Sequence, residues 1–526
     1  MSAQNPYGVL HFTRNSEGGV LGFSKELFLS RRVEIGKGGC TMKRIAKARQ
    51  GLLTAAVSVF VVLPVLTACA PSDGASEGAS EGVYPGKVWQ RAETPEQIGW
   101  SSEKLTVARA YSERIGSAAV MIVDDGIVVD AWGDITRKYK CHSMRKSLLS
   151  ALIGIHVDEG HIDLSNTMEE LGIDDNEPSL TPAEKQATVG DLIKARSGIY
   201  HPALFESASM KANRPERYSH APGTFWYYNN WDFNALGTIF EQETGTKIFK
   251  EFDRRIAQPL QMEDFEVDDC QYETGPDSIH PAYPFRMSTR DLARFGLLFL
   301  RKGRWQDQQI IPADWVREST ASHSERGPNS GYGYMWWTGV KGGLFPNVQV
   351  KEHSFYASGY RGHRVIVLPY RNLVIVHRVD TDSGSVDIGD REIGPLLWLI
   401  LDAAGETDIG DAPLLEAAQG IQVTADNLHE TWGEFTIRHW DGPEGQHIAS
   451  YAPDGTMTFT ARESGELVDT GKWWAEGDKV CRQWDELNGG EKACFYVVLD
   501  GTTLRQFDLN GILVGKVDFT RVEEER

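Results

Sequence analysis

Ser143 and Lys146 stand three residues apart in Cys141-His142-Ser143-Met144-Arg145-Lys146-Ser147, at the head of an apolar run from Leu148 to Ile155 that reads as a buried helix. One helical turn puts both side chains on the same face. The hydroxyl then lies at the positive end of the helix dipole, where main-chain N–H groups can receive a developing oxyanion. A desolvated lysine can lose its proton near neutral pH, and a neutral amine beside a serine hydroxyl can activate it. The chemistry on offer is nucleophilic acyl transfer. The same spacing recurs in Ser101-Ser102-Glu103-Lys104, at a polar helix start with no apolar run behind it. Partners downstream must therefore decide.

Two later stretches supply them. Ala221-Pro222-Gly223-Thr224-Phe225-Trp226-Tyr227-Tyr228-Asn229-Asn230 is dense in aromatic residues, which alone reads as core packing, but it also offers a phenol and an amide. His353 to His363 contains Ser358-Gly359-Tyr360 ahead of a β run, Arg364 to Leu368, and its glycines suit a strand edge that a substrate backbone approaches closely.

In this order, Ser-x-x-Lys, Tyr-x-Asn and Ser-Gly, the chain resembles the serine β-lactamase and penicillin-binding-protein superfamily, most of all its class C branch with the family VIII esterases and 6-aminohexanoate-dimer hydrolases. Leu192 to Ile199, Met287 to Gly296 and Tyr332 to Trp337 agree, so the resemblance covers most of 95–403. It implies an α/β (α+β) β-lactamase-like fold, an antiparallel sheet flanked by helices with a helical subdomain. It also implies Ser143 as nucleophile, Lys146 and Tyr228 as proton carriers, and Asn230 as the group that orients Lys146 or meets a substrate amide. Ser358 and Gly359 would line the substrate strand, with the N–H groups of Ser143 and Tyr360 as oxyanion hole. In the family the tyrosine precedes a Leu-Gly glycine by nine residues, and Gly237 thereby selects Tyr228 over Tyr227, which an extended segment would turn the other way. One departure stands out. Ala357 occupies the place of the Lys or His that helps to hold a substrate carboxylate, so an ester or amide without an obligatory carboxylate fits better than a penicillin. Arg361, His363 and Arg364 are the nearby candidates for replacing that charge. The alternative function is an envelope protein that binds β-lactams or peptidoglycan fragments, or acts like a D,D-peptidase, with slow turnover. A scaffold with a dead site is disfavoured, because every side chain needed for acylation is present.

The elements that must position these groups follow from the rest of the chain. A polar helix from Ser102 to Arg114 leads into two β-branched runs across Asp125-Gly126, a hairpin signal. The length of 526 residues predicts more than one domain, and a net charge of −20 argues against nucleic acid and anionic lipid surfaces as partners. Residues 42–69 read as a lipoprotein signal: Lys43, Arg44, Lys47 and Arg49, an apolar stretch from Leu52 to Val65, then Leu66-Thr67-Ala68-Cys69. The last four resemble the bacterial lipobox, which makes Cys69 the lipidated residue and the chain an exported, membrane-anchored lipoprotein. Ala70 resembles the pattern of those sent to the outer membrane, facing the periplasm. Residues 1–41 then read as a non-native upstream extension, with translation starting at Met42. Residues 70–94, with Gly74-Ala75-Ser76-Glu77 repeated at Gly78-Ala79-Ser80-Glu81, read as a flexible linker.

Beyond the hydrolase domain, 95–404, a linker is expected over 405–430 and a small β-barrel or sandwich, resembling the lipocalin-like modules of secreted enzymes, over 431–526. Trp432, Trp440, Trp473, Trp474 and Trp484 read mainly as its core. Cys481 and Cys494 flank a strand, a Gly489-Gly490 turn and a second strand, which predicts a cross-hairpin disulfide, while Cys141 and Cys270 are left open between pairing and free thiols. His142, His353, His363 and His377 lack the spacing and acidic partners of a zinc site, so neither metal nor cofactor is expected. The one partner the site calls for is a small ester or amide substrate.

Overall fold

Runs such as His363–Leu368 and Leu373–Arg378 are buried at every position and apolar over four consecutive residues each, as suits strands with both faces of their sheet covered. The computed structural model describes residues 82–327, 329–384, 386–431, 435–442, 445–461 and 464–521 and places these strands at the centre of an antiparallel eight-stranded sheet. Its strands are β1 Ala119–Asp124, β2 Ile127–Gly133, β3 Ser324–Gly327, β4 Ser330–Tyr332, β5 Trp337–Gly339, β6 Phe355–Gly359, β7 His363–Leu368 and β8 Leu373–Arg378. They lie in the order β2-β1-β8-β7-β6-β5-β4-β3. The alternation of a strand sorts the side chains between two cores. Val120, Ile122, Ile366, Leu368, Leu373 and Ile375 face one, and Met121, Val123, Val365, Val367, Val374 and Val376 the other. As the Asp-Gly signal implied, β1 and β2 join at Asp125 and Gly126, both with positive φ.

The first core is closed by helices α1, Ser102–Ile115, and, late in the chain, Asp390–Ala403. The second is closed by a helical layer containing α2, Arg145–Asp158, α3, Asn230–Thr244, and α4, Thr289–Leu300; the late helix is therefore α5. α2 is buried on every side from Arg145 to His156, which is why its sequence carries no polar stripe. Ser101 and Lys104, the second Ser-x-x-Lys, serve α1 instead: the serine hydroxyl accepts from Lys104 N–H as an N-cap and the lysine pairs with Asp402.

The C-terminal strands are β9 Ile421–Val423, β10 Phe435–Gly442, β11 Gly445–Tyr451, β12 Thr456–Ala461, β13 Leu467–Glu476, β14 Lys479–Trp484, β15 Ala493–Asp500, β16 Thr503–Phe507 and β17 Leu513–Arg521. From β10 to β17 each pairs antiparallel with the next, and β17 returns to β10, so the sheet closes as a barrel. β9 extends it along β15, which moves the start of the β unit into the span read as linker, 405–430. Trp473 and Trp484 are core residues; the side chains of Trp432 and Trp440 lie outside the described residues. Cys481 and Cys494 face each other across β14 and β15 and are disulfide-bonded, although the connection between the strands is a short 3-10 turn, Leu487–Gly490, and irregular chain rather than a tight hairpin. Cys141 and Cys270 are buried free thiols.

The barrel meets the preceding domain through Leu414 and Ile512, which pair in a bridge and join the core beneath α5, and through Arg391 on Asp508. At the other end of the chain, Gln90 and Ala92 bond the backbone of Val128, and Arg294 holds the carbonyls of Gly86 and Lys87, so the second half of the 70–94 span lies along β2 and α4. Residues 1–41, the 42–69 signal segment and Cys69 lie outside the described residues. Among those described, no helix is long and apolar enough to cross a membrane.

Candidate active site

The nucleophile turn is built by backbone constraints. Cys141 N–H donates to the Phe285 carbonyl, Met144 N–H to the Cys141 carbonyl, and His142 between them takes a positive φ of 48°, a strained conformation for a residue with a side chain. His142 Nε2 meets Thr381 Oγ1 at 2.8 Å. A 3-10 turn, His142–Met144, then runs into α2, leaving Ser143 partly accessible at the helix start. Arg378 braces the approach: fully buried, it donates to the carbonyls of Met287, Tyr139 and Lys140 and to His363 Nδ1.

Lys146 is 2% exposed, and its Nζ lies 3.0 Å from Ser143 Oγ, 2.5 Å from Tyr228 OH and 2.8 Å from Asn230 Oδ1. Burial, reinforced by the adjacent Arg145 guanidinium, pushes its amine well below the usual lysine range. A neutral amine satisfies all three contacts, with two N–H donors for Tyr228 and Asn230 and a lone pair for the serine O–H. Burial pushes the Tyr228 phenol up to about 12, against the lowering effects of its hydrogen bond with Ser143 and of the Arg145, Arg326 and Arg364 charges. Of the two, the lysine is the one that burial drives toward its neutral, proton-accepting form.

Tyr228 and Asn230 reach this point because Asn229 caps α3, its side chain accepting from Trp231 N–H. The Asn230 amide cannot turn over, since its Nδ2 donates to the carbonyl of Phe205 at 2.7 Å; Phe205 itself holds a positive φ. Tyr227 faces elsewhere, its hydroxyl donating to the Met210 carbonyl at 2.9 Å. Arg145, buried with no carboxylate paired to it among the described residues, stacks 4.1 Å over the Tyr283 ring and donates to Asn234 Oδ1.

β6 brings the third stretch alongside. A Cβ on Gly359 would fall 2.7 Å from the Cys141 carbonyl oxygen, so this strand touches the nucleophile turn backbone to backbone. Tyr360 follows, half exposed, with its ring 5.8 Å from that of His142. Ala357 is buried on the pleat that faces α2 and α4, and Ser358, partly buried, points from the other side of β6. The charges suggested as substitutes for a basic residue at 357 are engaged. Arg364 pairs with Asp390 at 2.7 Å and donates to the Gly359 and His363 carbonyls, Arg361 donates to the Gly384 carbonyl, and burial holds His363 neutral.

Sequence reasoning missed Arg326. It projects from β3 with its guanidinium 4.1 Å over the Trp337 ring and 5.1 Å over Trp226, in an aromatic wall where Trp337 and Tyr228 lie 5.3 Å apart and Tyr332 stands 6.0 Å from Tyr228. No carboxylate pairs with it among the described residues. Trp337 lay in a stretch that the resemblance singled out, but nothing local marked Glu325-Arg326-Gly327.

The chain is 21% identical over 256 residues to an uncharacterized protein of Alkalihalophilus pseudofirmus, covering 44% of this chain and 71% of that one. Among solved structures, it is similar to a putative 6-aminohexanoate-dimer hydrolase from Bacillus anthracis, with TM-score 0.42 and 19% identity over 56% of this chain and 81% of that one. The octameric penicillin-binding protein homologue from Pyrococcus abyssi gives TM-score 0.46 and 15% identity over 80% and 99%. The family described as Beta-lactamase matches residues 103–392, more than half of the chain and the whole stretch from α1 to the start of α5, and to that family the protein belongs.

Proposed function

We propose that the protein is a serine hydrolase that cleaves an ester or amide bond through an acyl-enzyme on Ser143, as 6-aminohexanoate-dimer hydrolases and family VIII esterases do. The observation that carries this reading is the desolvated Lys146 amine within hydrogen-bond reach of Ser143, Tyr228 and Asn230 at once. Lys146 accepts the Ser143 proton as the alkoxide attacks the carbonyl carbon. The oxyanion rests on the N–H groups of Ser143 and Tyr360, a role that the close approach of Gly359 to the Cys141 carbonyl supports. The proton passes from Lys146 through Tyr228 to the leaving alkoxide or amine. Water then attacks the acyl-enzyme, giving a proton to the same pair, which passes it to the Ser143 oxygen as the bond to the acyl carbon breaks and the acid is released. Ala357 offers no fixed cation beside the site, and this disfavours penicillins.

Intact mass of the purified protein after a fluorophosphonate probe, together with turnover of a short p-nitrophenyl ester, tests the proposal against Ser143→Ala. Labelling and turnover that both vanish in the variant support it. Labelling without turnover would favour the slow-turnover binding protein instead, and turnover persisting in Ser143→Ala would refute the assignment. The lipobox-like Leu66 to Cys69 and the Cys481–Cys494 disulfide support a second proposal, an exported protein anchored through lipid on Cys69. Release of the protein from membranes by Cys69→Ser is the expected result.

A further inference from the structure

At the far end of α2 from the nucleophile, the chain turns back on itself. Gly160, with φ +73°, follows the last helical turn, and His161 N–H donates to the His156 carbonyl. The turn folds His161 over His156 and leaves Glu159 between them. Three ligand-type atoms converge: His156 Nδ1 and His161 Nδ1 are 3.0 Å apart, and Glu159 Oε2 lies 3.6 Å from the first and 3.4 Å from the second. A tetrahedral zinc ion with bonds of about 2.0–2.1 Å separates its ligand atoms by about 3.3 Å, so these atoms already outline one face of such a site.

The surroundings are those of a supported site. His156 is buried, and its other nitrogen, Nε2, lies 3.1 Å from Glu251 Oε1, a carboxylate that fixes the tautomer and leaves Nδ1 as an acceptor. Arg255 holds the second oxygen of Glu159, which keeps Oε2 aimed at the histidines. His161 is half exposed, so a fourth position opens to water. Arg254 and Arg255 balance the charges of Glu251 and Glu159, so the site is not an unpaired acidic cluster.

We propose that His156, Glu159 and His161 bind a divalent zinc-class ion, with Glu251 as the carboxylate behind His156 and water as the fourth ligand. At about 1.5 Å per residue the site is about 20 Å along α2 from Ser143, so the ion clamps the end of the nucleophile helix and takes no part in acyl transfer. These histidines are not those the sequence reading considered and set aside. Among the described residues the other grouping of ligand types, Glu476 with Cys481 and Cys494, has its sulfurs tied in the disulfide.

The test is equilibrium dialysis of the untagged full chain against Zn2+, with visible absorption of the Co2+ form. One ion per chain and a tetrahedral Co2+ spectrum are expected. His161→Ala, a change at an exposed side chain, should weaken binding at least tenfold, and Glu251→Gln about 10- to 100-fold. Chelation should lower the melting temperature of the wild type and leave that of His161→Ala unchanged. No zinc retained at micromolar concentration, or binding indifferent to His161→Ala, overturns the proposal. The readouts do not involve Ser143, so they stand whatever becomes of the hydrolase assignment.

Discussion

Replacing Gly359 by alanine tests whether Tyr360 N–H belongs to the proposed oxyanion hole. The backbone at Gly359 is extended, φ −120° and ψ 154°, a conformation any residue adopts, so the substitution carries no conformational penalty. Its cost is space. The new methyl would stand 2.7 Å from the Cys141 carbonyl oxygen and 2.9 Å from His363 Cβ, where ordinary contact begins at 3.4 Å. β6 and the nucleophile turn must therefore part by about 0.7 Å, and neither can yield by a rotamer change, since His363 is pinned by Arg378 and Cys141 by Phe285. A displacement near 1 Å costs about 100-fold in rate. Loss of one oxyanion donor costs about 10²–10³ in kcat, or about 2.7–4 kcal/mol. We expect kcat on a p-nitrophenyl ester to fall about 100- to 1000-fold, with about 1–3 kcal/mol lost from stability by overpacking. Gly86→Ala, at a position where a Cβ meets nothing within 4 Å, is the control and should change neither. A Gly359→Ala enzyme with kcat within threefold of wild type would refute the reasoning, because it would show that Tyr360 N–H is not part of the site.

The remaining predictions concern protons and charge. Lys146 is active as the free amine, so kcat/KM should fall as pH drops through its depressed pKa, and Lys146→Arg, which cannot lose its proton, should be inactive. Between that pKa and the ordinary lysine value the unfolded chain binds the extra proton, so stability rises with pH; the advantage of Lys146→Met over wild type in urea unfolding should shrink by about 1.4 kcal/mol per pH unit within that window. Asn230→Asp would put a carboxylate 2.8 Å from Nζ and stabilise the ammonium, moving the acid limb of the kcat/KM profile up by about 1–3 pH units; an unmoved limb would mean that Lys146 is not the titrating base. Arg326→Ala should raise KM several-fold for an ester bearing a carboxylate and leave a neutral ester unchanged, which steady-state kinetics on a matched pair would show.

What the sequence disclosed about the site was set by distance along the chain. Ser143 and Lys146 share one helical turn, and the spacing from Tyr228 to Gly237 is local, so these residues and their register were legible, as were the Asp125-Gly126 hairpin and the closed β unit. The resemblance carried the sheet and its flanking helices. What escaped depends on folding. Arg326 reaches the site only because a short hairpin lays it over Trp337. Phe205 orients Asn230 through a carbonyl in a left-handed loop residue, which no pattern announces. Arg378 drew no attention in the sequence, yet its burial against three carbonyls makes it the brace of the segment that carries Ser143. Arg364 went the other way: it was a candidate for substrate, and Asp390 at the start of α5 had already claimed it. The histidine cluster at the end of α2 needs Glu251, which lies 95 positions from His156.

The seating of Ile512 bears on how this protein can be taken apart. Composition marks a seam near Gly405, and a hydrolase trimmed there would keep its entire acylation machinery. Yet the loop between β16 and β17 pushes Ile512 beside Leu414 into the packing under α5, and Asp508 in the same loop holds Arg391. A cut at the seam would leave an oily socket and an orphaned guanidinium on the surviving half. The barrel behaves as a stopper rather than a passenger, and the smallest stable hydrolase extends through it.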